Sequence, residues 1–238
     1  MEKPFLTRPT HRTMGLSVSF LTLFISFITL IFLLGFADVA PIGPAGTSVG
    51  LSHLNGAVRD RIGCHEIFKT LTDLLGFLLI AVFALFFFIL AVRQFFLRGK
   101  KFSGVDADLY LLFFYCVMLG ALYLLFEFCV VNFRPVMTGD KPEPSFPSSH
   151  TLLALSVLGV TVFQIRARVK RPFLRRAGVA LSVLLAVLMT VLRLLSGVHW
   201  FTDILGGVLL GSALPILYAL AVSLFDAAKE AREVPPGT

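Results

Sequence analysis

Six apolar runs, each close to the length that crosses a bilayer, constrain this chain more than any other feature. They fall at about 14–36, 72–96, 108–131, 151–165, 177–195 and 202–225. A helix needs about 20 apolar residues to span hydrocarbon. Inside a bilayer every backbone polar group must be satisfied within the protein, which leaves helices for runs of this kind. Charged residues make up 15% of the 238 residues, against about 25% in a soluble domain. The expected fold is all-α: one integral membrane bundle of six transmembrane helices. It divides into an N-terminal tail, 1–13, a six-span body, 14–225, and a C-terminal tail, 226–238.

The net charge of +7 is distributed by topology. Lys3, Arg8 and Arg12 precede the first span, and Arg93, Arg98, Lys100 and Lys101 follow the second. Arg166, Arg168, Lys170, Arg171, Arg175 and Arg176 separate the fourth from the fifth, and Lys229 and Arg232 follow the last. If the spans alternate, these fifteen of 21 basic residues share one side. The positive-inside rule then puts both termini in the cytoplasm. Attraction to anionic lipid headgroups accounts for the charge, and nucleic acid is not an expected partner. The first run is longer than a signal-peptide core of about 7–15 residues, so it reads as a retained span.

Cys116 and Cys129 lie thirteen residues apart on one expected helix, about 20 Å and too far for a disulfide. Cys64 has no evident partner. No cysteine spacing suggests a metal site, and all three read as small buried apolar residues. Between the first two spans, Leu51, Leu54, Val58 and Ile62 recur at helical spacing, which predicts a short interfacial helix serving as a lid, spacer or gate.

The remaining polar residues gather in three short segments: Asn132-Phe133-Arg134-Pro135, Pro147-Ser148-Ser149-His150, and Arg193 with His199 and Asp203. Alternating spans put all three at the same external face. An ionisable group at membrane depth is a functional hypothesis by default. Ser148 or Ser149 can cap the fourth span, whose N-terminus favours an anion. Asp203 follows His199 by one helical turn. There it either orients the imidazole by accepting its N–H or simply caps the sixth helix beside Trp200 and Phe201. Gly206, Gly207 and Gly211 allow a neighbouring helix to approach closely.

Together these segments resemble the type 2 phosphatidic acid phosphatase superfamily of integral membrane lipid phosphatases. Its signatures are Lys, six residues, Arg-Pro; Pro-Ser-Gly-His; and Ser-Arg, five residues, His, three residues, Asp. Arg134, Pro147, Ser148, His150, Arg193, His199 and Asp203 match, and the likeness covers roughly 127–207. Three positions depart from the pattern: Glu127 stands where the family has lysine, Ser149 replaces glycine, and Leu192 replaces serine.

The resemblance implies hydrolysis of a lipid phosphate or pyrophosphate at the extracytoplasmic face, without metal or cofactor, through a phosphohistidine. His199 would be the nucleophile, Asp203 its orienter and His150 the general acid. Arg134, Arg193 and the amides around Ser148 and Ser149 would bind the phosphoryl oxygens. Undecaprenyl diphosphate, phosphatidylglycerol phosphate, phosphatidate and sphingoid phosphates all fit, and a bacterial plasma membrane is the expected setting.

Glu127 modulates this picture. At about 7 Å and an effective dielectric near 20, one repulsive pair with a phosphate costs about 2 kcal/mol. Glu127 would instead be protonated, pair with Arg134 along one helix face, or recognise a polar or cationic part of the substrate. Lys69 and Lys141 are external and stand as substitutes for the missing cation. A catalytically weak member that binds or transports lipid, and a lipid phosphotransferase, remain open. A vanadate-dependent haloperoxidase is disfavoured by the six spans.

Overall fold

The computed structural model describes residues 9–98, 105–137 and 139–233. Lys3, Arg8, Lys100 and Lys101 lie outside the described residues. Among the described residues seven α-helices follow in order: α1 Pro9–Phe36, α2 Ser52–Ile62, α3 Glu66–Leu97, α4 Ala107–Phe128, α5 Ser149–Arg168, α6 Pro172–Leu195 and α7 Phe201–Glu233. All but α2 are long and apolar enough to cross a membrane. Among the described residues there is no strand; two isolated bridges, Ala40 with Val49 and Phe133 with Pro144, pin the loops. The expected all-α six-span architecture is the one observed.

The helices overrun the apolar runs. α7 continues to Glu233, so the segment expected as a tail from 226 begins as helix. Ala227, Ala228 and Lys229 are good helix formers, and loss of hydropathy does not by itself end a helix. α1 likewise starts at Pro9, inside the expected N-terminal tail. Proline at a first helical position costs no hydrogen bond.

α7 is the organising element, with α1 and α5 packed along it and α6 against α5. Its glycines make that contact possible. A Cβ on Gly206 would stand 2.4 Å from the Phe146 ring, and one on Gly207 would stand 2.9 Å from Thr151 Cβ. One on Gly211 would stand 2.9 Å from the Leu152 carbonyl oxygen. The small-residue face therefore brings the N-terminus of α5 onto the first turns of α7. Phe27 stacks on Phe146 and Phe126 meets both rings edge-on, which joins α1, α4 and the loop before α5.

The opposite end is tied by charge. Arg168, at the end of α5, donates to Asp106 at 2.9 Å, to Asp108 at 2.6 Å and to Gln164 at 2.6 Å. Gln164 reaches the Tyr218 hydroxyl at 2.7 Å. Burial works against a charge on Asp106, yet bonds from Arg98, Arg168 and Gln94 hold its carboxyl at about 2. Cys64, Cys116 and Cys129 are exposed, not buried as their residue type suggests. Cys116 and Cys129 lie on the outer surface of the bundle, where lipid solvates a thiol as well as a core does.

Candidate active site

The loop from α4 to α5 folds back on itself. The Ser145 amide donates to the Asn132 carbonyl, and the Arg134 amide to that of Glu143, both at 2.9 Å. The Ser148 amide then donates to the Asp203 carbonyl at 2.9 Å, fastening the start of α5 to the start of α7. α5 begins at Ser149 with Ser148 as its N-cap residue, but no side-chain capping bond forms. The Ser148 hydroxyl instead accepts from Thr151 at 3.2 Å, and Ser148 is fully buried. Ser149, not Ser148, lines the adjoining cleft.

His199 and Asp203 sit together as their spacing predicts, but the expected bond is not made. His199 Nδ1 lies 3.7 Å from Asp203 Oδ2, beyond hydrogen-bond range, and is buried without a partner. Asp203 Oδ2 accepts the Trp200 amide at 2.9 Å. Asp203 is the third residue of α7 and Trp200 its N-cap, so the carboxylate reaches back to cap the helix. Its Oδ1 faces Asn132 Nδ2 at 3.5 Å. The capping reading is the one the bonds show: Asp203 is held by the start of α7 and stands beside the imidazole without bonding to it. Burial, followed by the Arg193 and Arg134 charges, pushes the His199 imidazolium well below the ordinary histidine range. The ring is therefore neutral at pH 7, the form that carries a nucleophilic lone pair.

Arg193, 1% exposed, ends α6. A buried guanidinium without partners costs several kcal/mol, and here it has three. One terminal nitrogen donates to Thr72 Oγ1 at 3.1 Å and Asp73 Oδ1 at 2.9 Å; the other stands 3.4 Å from His199 Nε2. His150 joins through the same carboxylate, its Nε2 being 3.1 Å from Asp73 Oδ1. Arg134 and His199 line one cleft of about 50 Å³ with Glu127, Tyr123 and Ser149. Arg134, Arg193, His150, His199, Asp203 and Glu127 therefore meet at one end of the bundle.

Glu127 faces this cleft but does not share a helix face with Arg134, because α4 ends at Phe128. Arg134 is paired instead with Glu143, Nε to Oε2 at 3.4 Å, too long for a well-formed bond. Lys69 lies 3.9 Å from Asp73. Sequence reasoning missed Asp73. The available signal was an aspartate inside an apolar run, on the site-side end of its helix.

α2 covers the site. Its buried residues are Ser52 and Asn55, while Leu54 of the apolar stripe is 45% exposed. Hydrogen bonds hold it. Asn55 donates to Thr202 Oγ1 at 3.0 Å and accepts the Thr202 amide at 3.1 Å. Arg59 donates to the Pro135 carbonyl and lies 5.4 Å above the Trp200 ring. Asp38 accepts the Ser52 hydroxyl and the His53 amide at the start of α2, and that amide, outweighing the effect of burial, holds its carboxyl below the usual carboxylate range. After α2 the chain passes under the α6–α7 turn. There Gly197 adopts φ +68°, and a Cβ would lie 2.2 Å from the Gly63 carbonyl oxygen.

The fold is that of a helical integral membrane bundle that gathers histidines and arginines at one end. Residues 127–225 match the family model described as the PAP2 superfamily. No curated protein matches the chain. The crystal structure of the first transmembrane PAP2 type phosphatidylglycerolphosphate phosphatase from Bacillus subtilis superposes with a TM-score of 0.61. The match covers 88% of this chain and 96% of that one at 22% identity, which establishes a common fold.

Proposed function

We propose that this protein hydrolyses a lipid phosphate or lipid pyrophosphate at the extracytoplasmic end of its bundle, through a phosphohistidine and without a metal ion. The observation that carries the reading is the Arg193 guanidinium 3.4 Å from His199 Nε2, with Arg134 in the same cleft. Phosphoryl transfer needs positioning and positive charge around the equatorial oxygens. Arginine supplies both because its planar fork binds phosphate bidentately.

His199 Nε2 attacks phosphorus, and the bond to the lipid oxygen breaks. His150 gives that oxygen a proton as it leaves. Water, losing its proton to His150, then attacks the phosphohistidine and releases phosphate; a lipid hydroxyl in its place would make the protein a phosphotransferase. Asp203 favours charge on His199 during transfer. Arg134, Arg193 and the first turn of α5, from Ser148 and Ser149, hold the oxygens. Acyl or isoprenyl chains stay in hydrocarbon beside α4. The excess of basic residues at the other end supports cytoplasmic termini and a site on the outer side of a bacterial plasma membrane. The body is then a single six-span unit between two cytoplasmic ends.

A panel of lipid phosphates and pyrophosphates, assayed in detergent with a chelator, tests this. Release from at least one substrate, unchanged by the chelator, is expected. No release from any, or release only with added divalent metal, contradicts it.

Glu127 favours a second reading, a lipid binder or carrier with weak turnover. Its carboxylate lines the cleft where the family pattern has a cation. Glu127→Lys restores that cation and is expected to raise kcat/KM on simple lipid phosphates about tenfold or more, since each 1.4 kcal/mol is a factor of ten. A fall in activity would instead make Glu127 part of the native site.

A further inference from the structure

α3 lies outside the three motif segments and outside the residues matched by the family model. It nevertheless turns one continuous face to the site. Gly76 follows Thr72 by four residues and Asp73 by three, spacings that make each its neighbour on the helix surface. Thr72 and Asp73 both accept from the same Arg193 nitrogen, at 3.1 and 2.9 Å. Asp73 Oδ1 also meets His150 Nε2 at 3.1 Å. Gly76 makes room for that ring: a Cβ there would stand 2.9 Å from His150 Cδ2. The other ring nitrogen, Nδ1, is buried and has no partner. One carboxylate on α3 therefore joins the end of α6 to the start of α5.

We infer that Asp73 is a positioning residue for the leaving-group proton. It acts through His150, and the inference rests on the phosphatase reading above. Accepting from Nε2–H, Asp73 fixes the ring's orientation and stabilises the imidazolium. Nδ1–H is then the proton that passes to the departing oxygen. After the P–O bond breaks, His150 is neutral with its proton on Nε2, and Nδ1 is free to take a proton from the water that hydrolyses the phosphohistidine. The same carboxylate offsets repulsion between the imidazolium and Arg193, which allows two cations to share one phosphate. Thr72 and Gly76 serve that arrangement by fixing the guanidinium and admitting the ring.

A role through the leaving group has a signature that a plain tether lacks. An alkoxide needs a proton to depart; a nitrophenolate scarcely does. The test uses the full chain in detergent, with phosphatidate and a long-chain nitrophenyl phosphate as paired substrates. Asp73→Asn is expected to lower kcat on phosphatidate about a hundredfold, the usual scale of general acid catalysis. On the nitrophenyl ester its effect stays below about fivefold. Asp73→Glu recovers part of the loss on phosphatidate, and thermal unfolding of both variants separates chemistry from misfolding. Equal losses on both substrates, a loss confined to KM, or faster turnover of both overturns the inference. His199→Ala run alongside keeps the two levels apart. A wild-type protein active on both esters, silenced by that change but indifferent to Asp73→Asn, removes the inference alone. A wild-type protein inactive on both removes the functional reading and the inference with it.

Discussion

His199→Ala is expected to lower phosphate release from a lipid phosphate by at least about a thousandfold while the protein stays folded in detergent or membranes. The size of the effect follows from the loss of the nucleophile itself, because no neighbouring group replaces a covalent step once its attacking atom is gone. Survival of the fold follows from the local bonding. Asp203 is satisfied by the Trp200 amide at 2.9 Å and does not depend on the imidazole, which is 3.7 Å away. Trp200 keeps its own bond to the Phe133 carbonyl at 2.8 Å. Asn55 still ties α2 to α7. The change therefore removes the reacting nitrogen without loosening the helix that carries it. Size-exclusion profile and thermal midpoint, read beside phosphate release, check both halves.

Arg193→Lys is expected to cost at least about a hundredfold in kcat/KM, with only a small change in thermal midpoint. The guanidinium uses one end on Thr72 and Asp73 and extends the other toward His199 Nε2. A lysine ammonium is a single point charge. It can keep the ion pair with Asp73, which preserves the join between α3 and α6, but it cannot also reach the phosphoryl oxygens beside His199. Loss of one preorganised donor at a developing charge is typically worth 10²–10³ in rate. Steady-state kinetics on the best lipid substrate of the panel measure it. Activity within a few-fold of wild type would mean that the second end of the fork plays no part in the reaction.

The extent to which this architecture was legible in the sequence varied with the kind of interaction. The spans were legible because lipid demands long uninterrupted apolar runs, and the glycine face of α7 because close helix contact demands small residues. The pairing of His199 with Asp203 was legible from helical spacing, which sets proximity; which bond the carboxylate makes was not. That depended on a competition with the Trp200 amide, decided by where α7 starts. What fastens α2 to the bundle was not legible for a related reason. Helical spacing marks out the helix, but Asn55 finds its two hydrogen-bond partners in Thr202, 147 residues away, which no local pattern announces. Asp73 was missed because a single acid in an apolar segment has no motif around it. Its meaning lies in partners on α5 and α6 that only the packed bundle brings within reach.

The proposed reaction turns on its covalent step, and trapping that intermediate is the decisive experiment. Wild-type protein mixed briefly with a lipid phosphate carrying radioactive phosphorus, in the presence of a chelator, is quenched in alkali, where phosphohistidine survives, and digested. Label is expected on the peptide containing His199, discharged by acid and absent from His199→Ala. Substrate turnover with no protein-bound label, or with the label on a different residue, would contradict the proposed reaction.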